Sequence, residues 1–227
     1  MITLYELKGQ DDRIYSLFSW RTRMALAHKG LAFESHPVAM SDKAALAFSG
    51  GKTVPVIRDG ESVVRDSWKI AEHLEGAYPQ GPALFGGEIG HGLCQTFNIW
   101  ADRTLVPALL PVVVADLFER IDPLDRDYFR TMMEGFLKTK LEDTRTGRDK
   151  AIERFSRTLD PLRAALKRQP FVSGSNPAYA DYIVFSVFQW ARVMSPQTLL
   201  ADDDPLAAWR DRILDLHSGF ARDVPTA

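Results

Sequence analysis

The chain has 227 residues, 45% of them apolar, enough to fill the core of one large globular domain or two ordinary ones. Lysine and arginine total 28 against 30 acidic residues, a balance without the basic surplus that nucleic-acid or anionic-membrane partners require, so both are excluded as expected partners. The single cysteine, Cys94, excludes an internal disulfide and every Cys-x-x-Cys redox or zinc motif, which fits a reducing compartment such as the cytoplasm. The opening MITLYELKGQDD has no basic segment leading into an apolar run, and no stretch of ~18 apolar residues follows, so neither export nor membrane spanning is expected.

Residues 2–7 alternate as a strand does, and 16–29 carry Trp20, Met24 and Leu26 at helical spacing before Gly30, a helix stop. A second strand is predicted at 31–38, a short helix at 41–48, and a third strand at 53–57 with Pro55 inside it. Asp59-Gly60 signals a tight turn before a strand at 62–64, and Asp66-Ser67 opens a helix reaching about Tyr78. Strand, helix, strand, helix, strand, strand, helix is a parallel crossover unit joined to a hairpin, the thioredoxin-like order.

Two prolines and several glycines between Pro79 and Gly87 mark a linker, after which strand signals vanish. The expected organisation is thus α/β plus all-α: a thioredoxin-like domain over 1–78, a linker over 79–87 and an all-helical bundle over 88–227. Helices are predicted near 88–120, 124–144, 149–168, 178–194 and 204–217. The stretch 179–193 is apolar on nearly every face, as a helix in the middle of a bundle must be.

Three places carry chemistry. Proline cannot donate to a sheet ladder, so Val54-Pro55 marks an edge or a candidate cis bond; a cis bond would turn the Val54 N–H and C=O outward, free to pair with an extended peptide. An edge proline without function explains the same residues. At Asp66-Ser67 the exposed N–H groups of a helix start suit a carboxylate, with the Ser67 hydroxyl as a further donor and Asp66 as counter-charge for an amine; ordinary N-capping is the rival explanation. Ser16 opens the first helix. A free thiol ionises near pH ~8.5, and each unit of lowering needs ~1.4 kcal/mol of thiolate stabilisation, which a hydroxyl bond plus a helix N-terminus can supply. Helix capping again competes, and Ser19 competes with Ser16 for either role.

Ser16 with Arg21, then Val54-Pro55, then Asp66-Ser67, in this order and over essentially the whole chain, resemble the glutathione transferase superfamily. Leu17 stands where many members of that family have proline. The segment S-G-S-N-P-A-Y-A-D-Y resembles the family's capping box, with Asp181 as its acidic member and Ala178 in place of the usual Ser or Thr, so that only half of the reciprocal bonding survives. The stretches W-R-T-R-M-A-L-A-H-K-G and V-P-V-I-R-D-G-E-S-V-V-R-D-S-W-K-I-A-E-H-L look closest to bacterial β-etherases and related fungal transferases, which use glutathione to open β-aryl ethers.

The resemblance implies a glutathione transferase with glutathione as co-substrate. Ser16 would stabilise its thiolate, with Ser19 nearby. Val54 and Pro55 would meet its cysteinyl backbone, Asp66 and Ser67 its γ-glutamyl end, and Lys52 its glycyl carboxylate, although a solvated surface lysine is the readier explanation of Lys52. A small aromatic or hydrophobic electrophile would sit between the domains near Phe18, Trp100 and Arg103. Relatives are commonly homodimers, and the apolar run 106–114 suits either a subunit or a substrate interface. A non-catalytic carrier of glutathione or apolar ligands on the same fold stays open, as does a glutathione-dependent reductase or isomerase.

Other signals fail. The glycine-rich G-G-E-I-G-H-G lacks dinucleotide-binding spacing. The five histidines show no ligand spacing, so no metal is expected. Cys94 reads as a packed small hydrophobe.

Overall fold

The computed structural model describes residues 1–227. Strand β1 (Ile2–Leu7), helix α1 (Leu17–His28), β2 (Phe33–Val38), β3 (Val56–Asp59), β4 (Ser62–Arg65) and α2 (Ser67–Ala77) build the first half. The sheet order is β2-β1-β3-β4, with β1 parallel to β2 and the other neighbours antiparallel. Ile2 and Leu4 alternate into the core, and so does Glu6, which is tolerated there because Arg23 of α1 (2.5 Å) and the Ser35 hydroxyl (2.6 Å) both donate to it. Helix α1 stops where the sequence predicts: Gly30 adopts φ +67, its N–H donates to the Ala27 carbonyl, and the Leu31 N–H reaches back to the Leu26 carbonyl.

Two predicted elements differ. The expected helix at 41–48 is a short 3-10 stretch over Ala44–Ser49. Pro55 lies just before β3 instead of inside the strand, because a residue without an N–H cannot take a rung of the ladder; its bond to Val54 is cis.

No helix or strand falls between α2 and α3 (Glu88–Trp100). Helix α3 runs through one wide π turn, Ala101–Leu105, into α4 (Val106–Arg120). The widening falls just ahead of Pro107, which has no N–H to return to the preceding turn. The predicted helix at 124–144 is shorter, α5 (Arg126–Leu137), and stops where Lys138 takes φ +57. The one at 149–168 is two, α6 (Arg148–Thr158) and α7 (Asp160–Leu166), divided ahead of Pro161. Then come α8 (Tyr179–Met194), buried along nearly its whole length, and α9 (Pro205–Gly219).

A single apolar core runs through both halves, from Leu4 and Trp20 to Val184 and Trp209. No helix is long and apolar enough to cross a membrane. Most of the run 106–114 is core: Leu109, Val112, Val113 and Val114 are fully buried.

Polar joints cross the same boundary. Arg21 of α1, wholly buried, donates to Asn98 (2.8 Å), Asp102 (2.8 Å) and Ser186 (3.2 Å) of the helical half. Within the first half, the Glu75 carboxylate on α2 accepts from Lys29 (2.5 Å), and it also holds the connecting segment through the Leu84 N–H (2.9 Å).

Candidate active site

A cleft of about 420 Å³ opens between the sheet and α5, and Ser16, Phe18, Lys52, Val54, Pro55 and Asp66 all face it. A second cavity of about 320 Å³ adjoins it. Leu7, Ser16, Phe18, Met40 and Met132 border both, and Val106, Leu110, Met133, Phe136 and Trp190 are among the other residues lining the second. One space therefore mixes polar and apolar groups, the other is almost wholly apolar, and Ser16 stands at the junction.

Ser16 is the N-cap of α1. Its Oγ accepts the Ser19 N–H at 3.4 Å, which leaves the hydroxyl hydrogen free to donate outward. The residue is 8% exposed. Ser19 is fully buried with an unpartnered hydroxyl and borders neither cavity. Of the two serines only Ser16 borders the cavities.

The backbone N–H and C=O of Val54 have no hydrogen-bond partner in the chain, while the Pro55 carbonyl accepts the Asp66 N–H at 3.2 Å. That bond ties the strand entrance to the start of α2. Asp66 sits at φ +73, a costly backbone state for a residue with a Cβ, and its Oδ1 accepts the Trp68 (3.0 Å) and Lys69 (3.1 Å) N–H groups. Capping and cleft position thus coincide in one side chain. Ser67, buried just behind it, borders neither cavity, and its carbonyl accepts the Tyr179 hydroxyl at 2.8 Å.

Trp100 and Arg103, expected beside the substrate, border neither cavity. The π turn points Ala101 and Leu105 into the core and Asp102 at Arg21, which leaves Arg103 in solvent and Trp100 half-buried, edge-on to Phe97 at 6.1 Å. Arg21 instead stacks on Phe18, 5.0 Å from the ring centroid. Cys94 is buried, away from the cleft, and burial pushes its thiol pKa up to about 11. No group of histidine, cysteine and acidic residues is placed to hold a metal ion.

Sequence reasoning missed the far wall of the cleft. Met40 and Lys43 come from the loop after β2, Tyr128 and Met132 from α5, and the Lys43 ammonium lies 4.8 Å from the Tyr128 ring centroid. A signal was present: Tyr128, Met132 and Phe136 repeat every four residues and stay partly exposed, an apolar stripe too well formed to be left to water.

Residues 15–77 match the family model "Glutathione S-transferase, N-terminal domain" and residues 92–216 the model "Glutathione S-transferase, C-terminal domain". The glutathione S-transferase-like protein ustS of Aspergillus flavus is 27% identical over 233 residues, spanning 89% of this chain and 79% of its own. Among solved structures, glutathione transferase GSTFuA3 of Phanerochaete chrysosporium superimposes with a TM-score of 0.85 at 25% identity, covering 93% of this chain and 95% of that one. Glutathione S-transferase CsGST63524 of Ceriporiopsis subvermispora, solved in complex with glutathione, gives 0.86 at 24% identity over 100% and 99% of the two chains, a likeness of fold. With the two family domains matched in order on one continuous core, the chain belongs to the glutathione S-transferase family.

Proposed function

We propose that glutathione lies in the 420 Å³ cleft as an extended peptide, pairing with the free Val54 backbone, its γ-glutamyl end at Asp66 and Ser67 and its glycyl end near Lys52. Its sulfur then reaches Ser16, whose hydroxyl hydrogen and helix N-terminus stabilise the thiolate. The thiolate attacks an electrophilic carbon of a hydrophobic, aromatic substrate held in the adjoining apolar cavity against Phe18, Met133 and Trp190. A carbon–sulfur bond forms as the bond to the leaving group breaks. With a β-aryl ether the leaving group departs as phenoxide with the bonding pair and takes a proton from water.

The observation that carries this reading is that Ser16 borders both cavities, so a sulfur beside it faces the apolar space directly. Adjacent binding spaces let two substrates react in an effectively unimolecular step. Val106 and Leu110 line that same space, which favours the substrate reading of the run 106–114. The exposed Ile89, Leu93 and Ile99 on α3 support a homodimer, and the unmatched thiol content supports a cytoplasmic setting.

The test is a screen of glutathione consumption against aryl ethers, aryl halides, isothiocyanates and peroxides. Turnover of aryl ethers or aryl halides that Ser16→Ala slows at least about tenfold is the expected outcome. Ligand binding indifferent to glutathione, with no turnover, would indicate the carrier instead.

A further inference from the structure

Asp125 precedes α5 and is 0% exposed. A buried carboxylate costs several kcal/mol unless charge-assisted hydrogen bonds compensate it. Asp125 does not obtain them from its own helix, for no N–H of α5 bonds to its side chain, and the preceding 3-10 turn is capped by Asp122 through the Leu124 N–H. All of its donors come from the other half of the molecule: the Met40 N–H on Oδ2 at 2.7 Å, the Ser41 N–H on Oδ1 at 2.8 Å, and the Ser41 hydroxyl on Oδ1 at 2.5 Å.

The segment so held is the loop from Ala39 to Val54, which supplies Met40, Lys43, Lys52 and Thr53 to the cleft wall. Its own backbone bonds are short-range, such as Asp42 N–H to the Ala39 carbonyl and Gly50 N–H to the Ala47 carbonyl. Beyond them it is tied by Arg65 on the Gly50 carbonyl (2.5 Å) and by Leu46 packed with Val38 and Val56. At the Met40 end, where both cavities begin, Asp125 is its polar anchor. The Lys43–Tyr128 stack lies between the same loop and the same helix.

We propose that Asp125 is a positioning residue, holding this loop against α5 so that the wall of the glutathione cleft is formed before the tripeptide arrives. The proposal rests on the reading that glutathione occupies the 420 Å³ cleft. Preorganisation of this kind appears as affinity, since a loose loop must be ordered by the ligand at the expense of binding.

Calorimetric titration of the full chain with reduced glutathione tests it. Wild type comes first: no heat of binding there overturns the cleft reading itself. In Asp125→Asn one oxygen still serves Ser41 while the new amide faces the Met40 N–H as donor to donor. The expected result is glutathione affinity weakened about tenfold, the worth of one charge-assisted hydrogen bond. With an aryl halide as second substrate, KM for glutathione should rise by the same factor while kcat at saturation stays within about twofold. Amide hydrogens of residues 39–49 should exchange faster with those of α8 unchanged. Ser41→Ala removes only the hydroxyl bond, and it should weaken binding about threefold, which keeps the question answerable if Asp125→Asn does not fold. Wild-type affinity in a folded Asp125→Asn or in Ser41→Ala, or a fall in kcat at unchanged KM, overturns the proposal.

Discussion

Ser16 shows how one hydroxyl can serve two ends. Its oxygen accepts the Ser19 N–H and fixes the first turn of α1, and its hydrogen remains for a ligand. Replacing it with alanine removes both. The expected consequence is a rise of about one to two units in the apparent pKa of bound glutathione, since a hydrogen bond to a charged group is worth about 1.5–3 kcal/mol and each unit is about 1.4 kcal/mol. Titrating the ultraviolet absorbance of the bound thiolate reads that pKa directly. Ser16→Thr keeps an oxygen of similar reach and should stay within about half a unit of wild type. A thiolate pKa equal in Ser16→Ala and wild type would remove Ser16 from the chemistry and leave it a cap. Tyr15, its neighbour, is no substitute: burial raises its phenol pKa, the negative charge of Asp125 raises it further, and it has no hydrogen-bond partner.

Among the elements, those written by local pattern were legible. The alternation of β1, the Gly30 stop of α1, the Asp66 cap of α2 and the apolar faces of α8 are all properties of short windows, and each element lies within two residues of its predicted span. The break at Lys138 was not legible, because helical periodicity continues across it, whereas the division between α6 and α7 carried a local signal in Pro161 that the apolar periodicity outweighed. The π turn was equally hidden, and it sets the facing of Arg103, which lies inside it. In α8 the pattern understated Asp181. Beyond the Ala178 N–H (3.2 Å) it accepts the Val172 (2.7 Å) and Ser173 (3.1 Å) N–H groups and the Trp209 indole (2.8 Å), joining a loop, α8 and α9 through one buried side chain. Asp181→Ala leaves those donors buried and unpaired. A loss of about 3–5 kcal/mol in urea-unfolding stability is expected, and a loss below about 1 kcal/mol would mean that the donors find other partners.

At the scale of the whole molecule, stability should depend on pH through a joint where α1, the linker, α8 and α9 meet. His28 Nε2 lies 3.1 Å from the Ala83 carbonyl, which can only accept, so in the neutral ring Nε2 carries the hydrogen and Nδ1 accepts from Tyr182 at 2.8 Å. His217 approaches the same hydroxyl, Nε2 at 3.5 Å, and its ring centroid lies 6.4 Å from that of His28. Burial lowers both histidine pKa values, His217 being lowered further by His28. The unfolded chain then binds more protons than the folded one below the ordinary histidine value of about 6.5. Thermal stability should fall as pH drops below about 6.5, and a His28→Gln, His217→Gln double variant should flatten that slope. An identical slope in wild type and double variant would place the dependence elsewhere. The burial of Cys94 has a different bearing on the molecule's life. A catalyst that meets electrophiles at every turnover is exposed to them itself, and its one sulfhydryl is both shielded and held protonated at neutral pH. The protein's one thiol is therefore a poor competitor for an electrophile, and little thiolate is available on it for alkylation or mixed-disulfide formation.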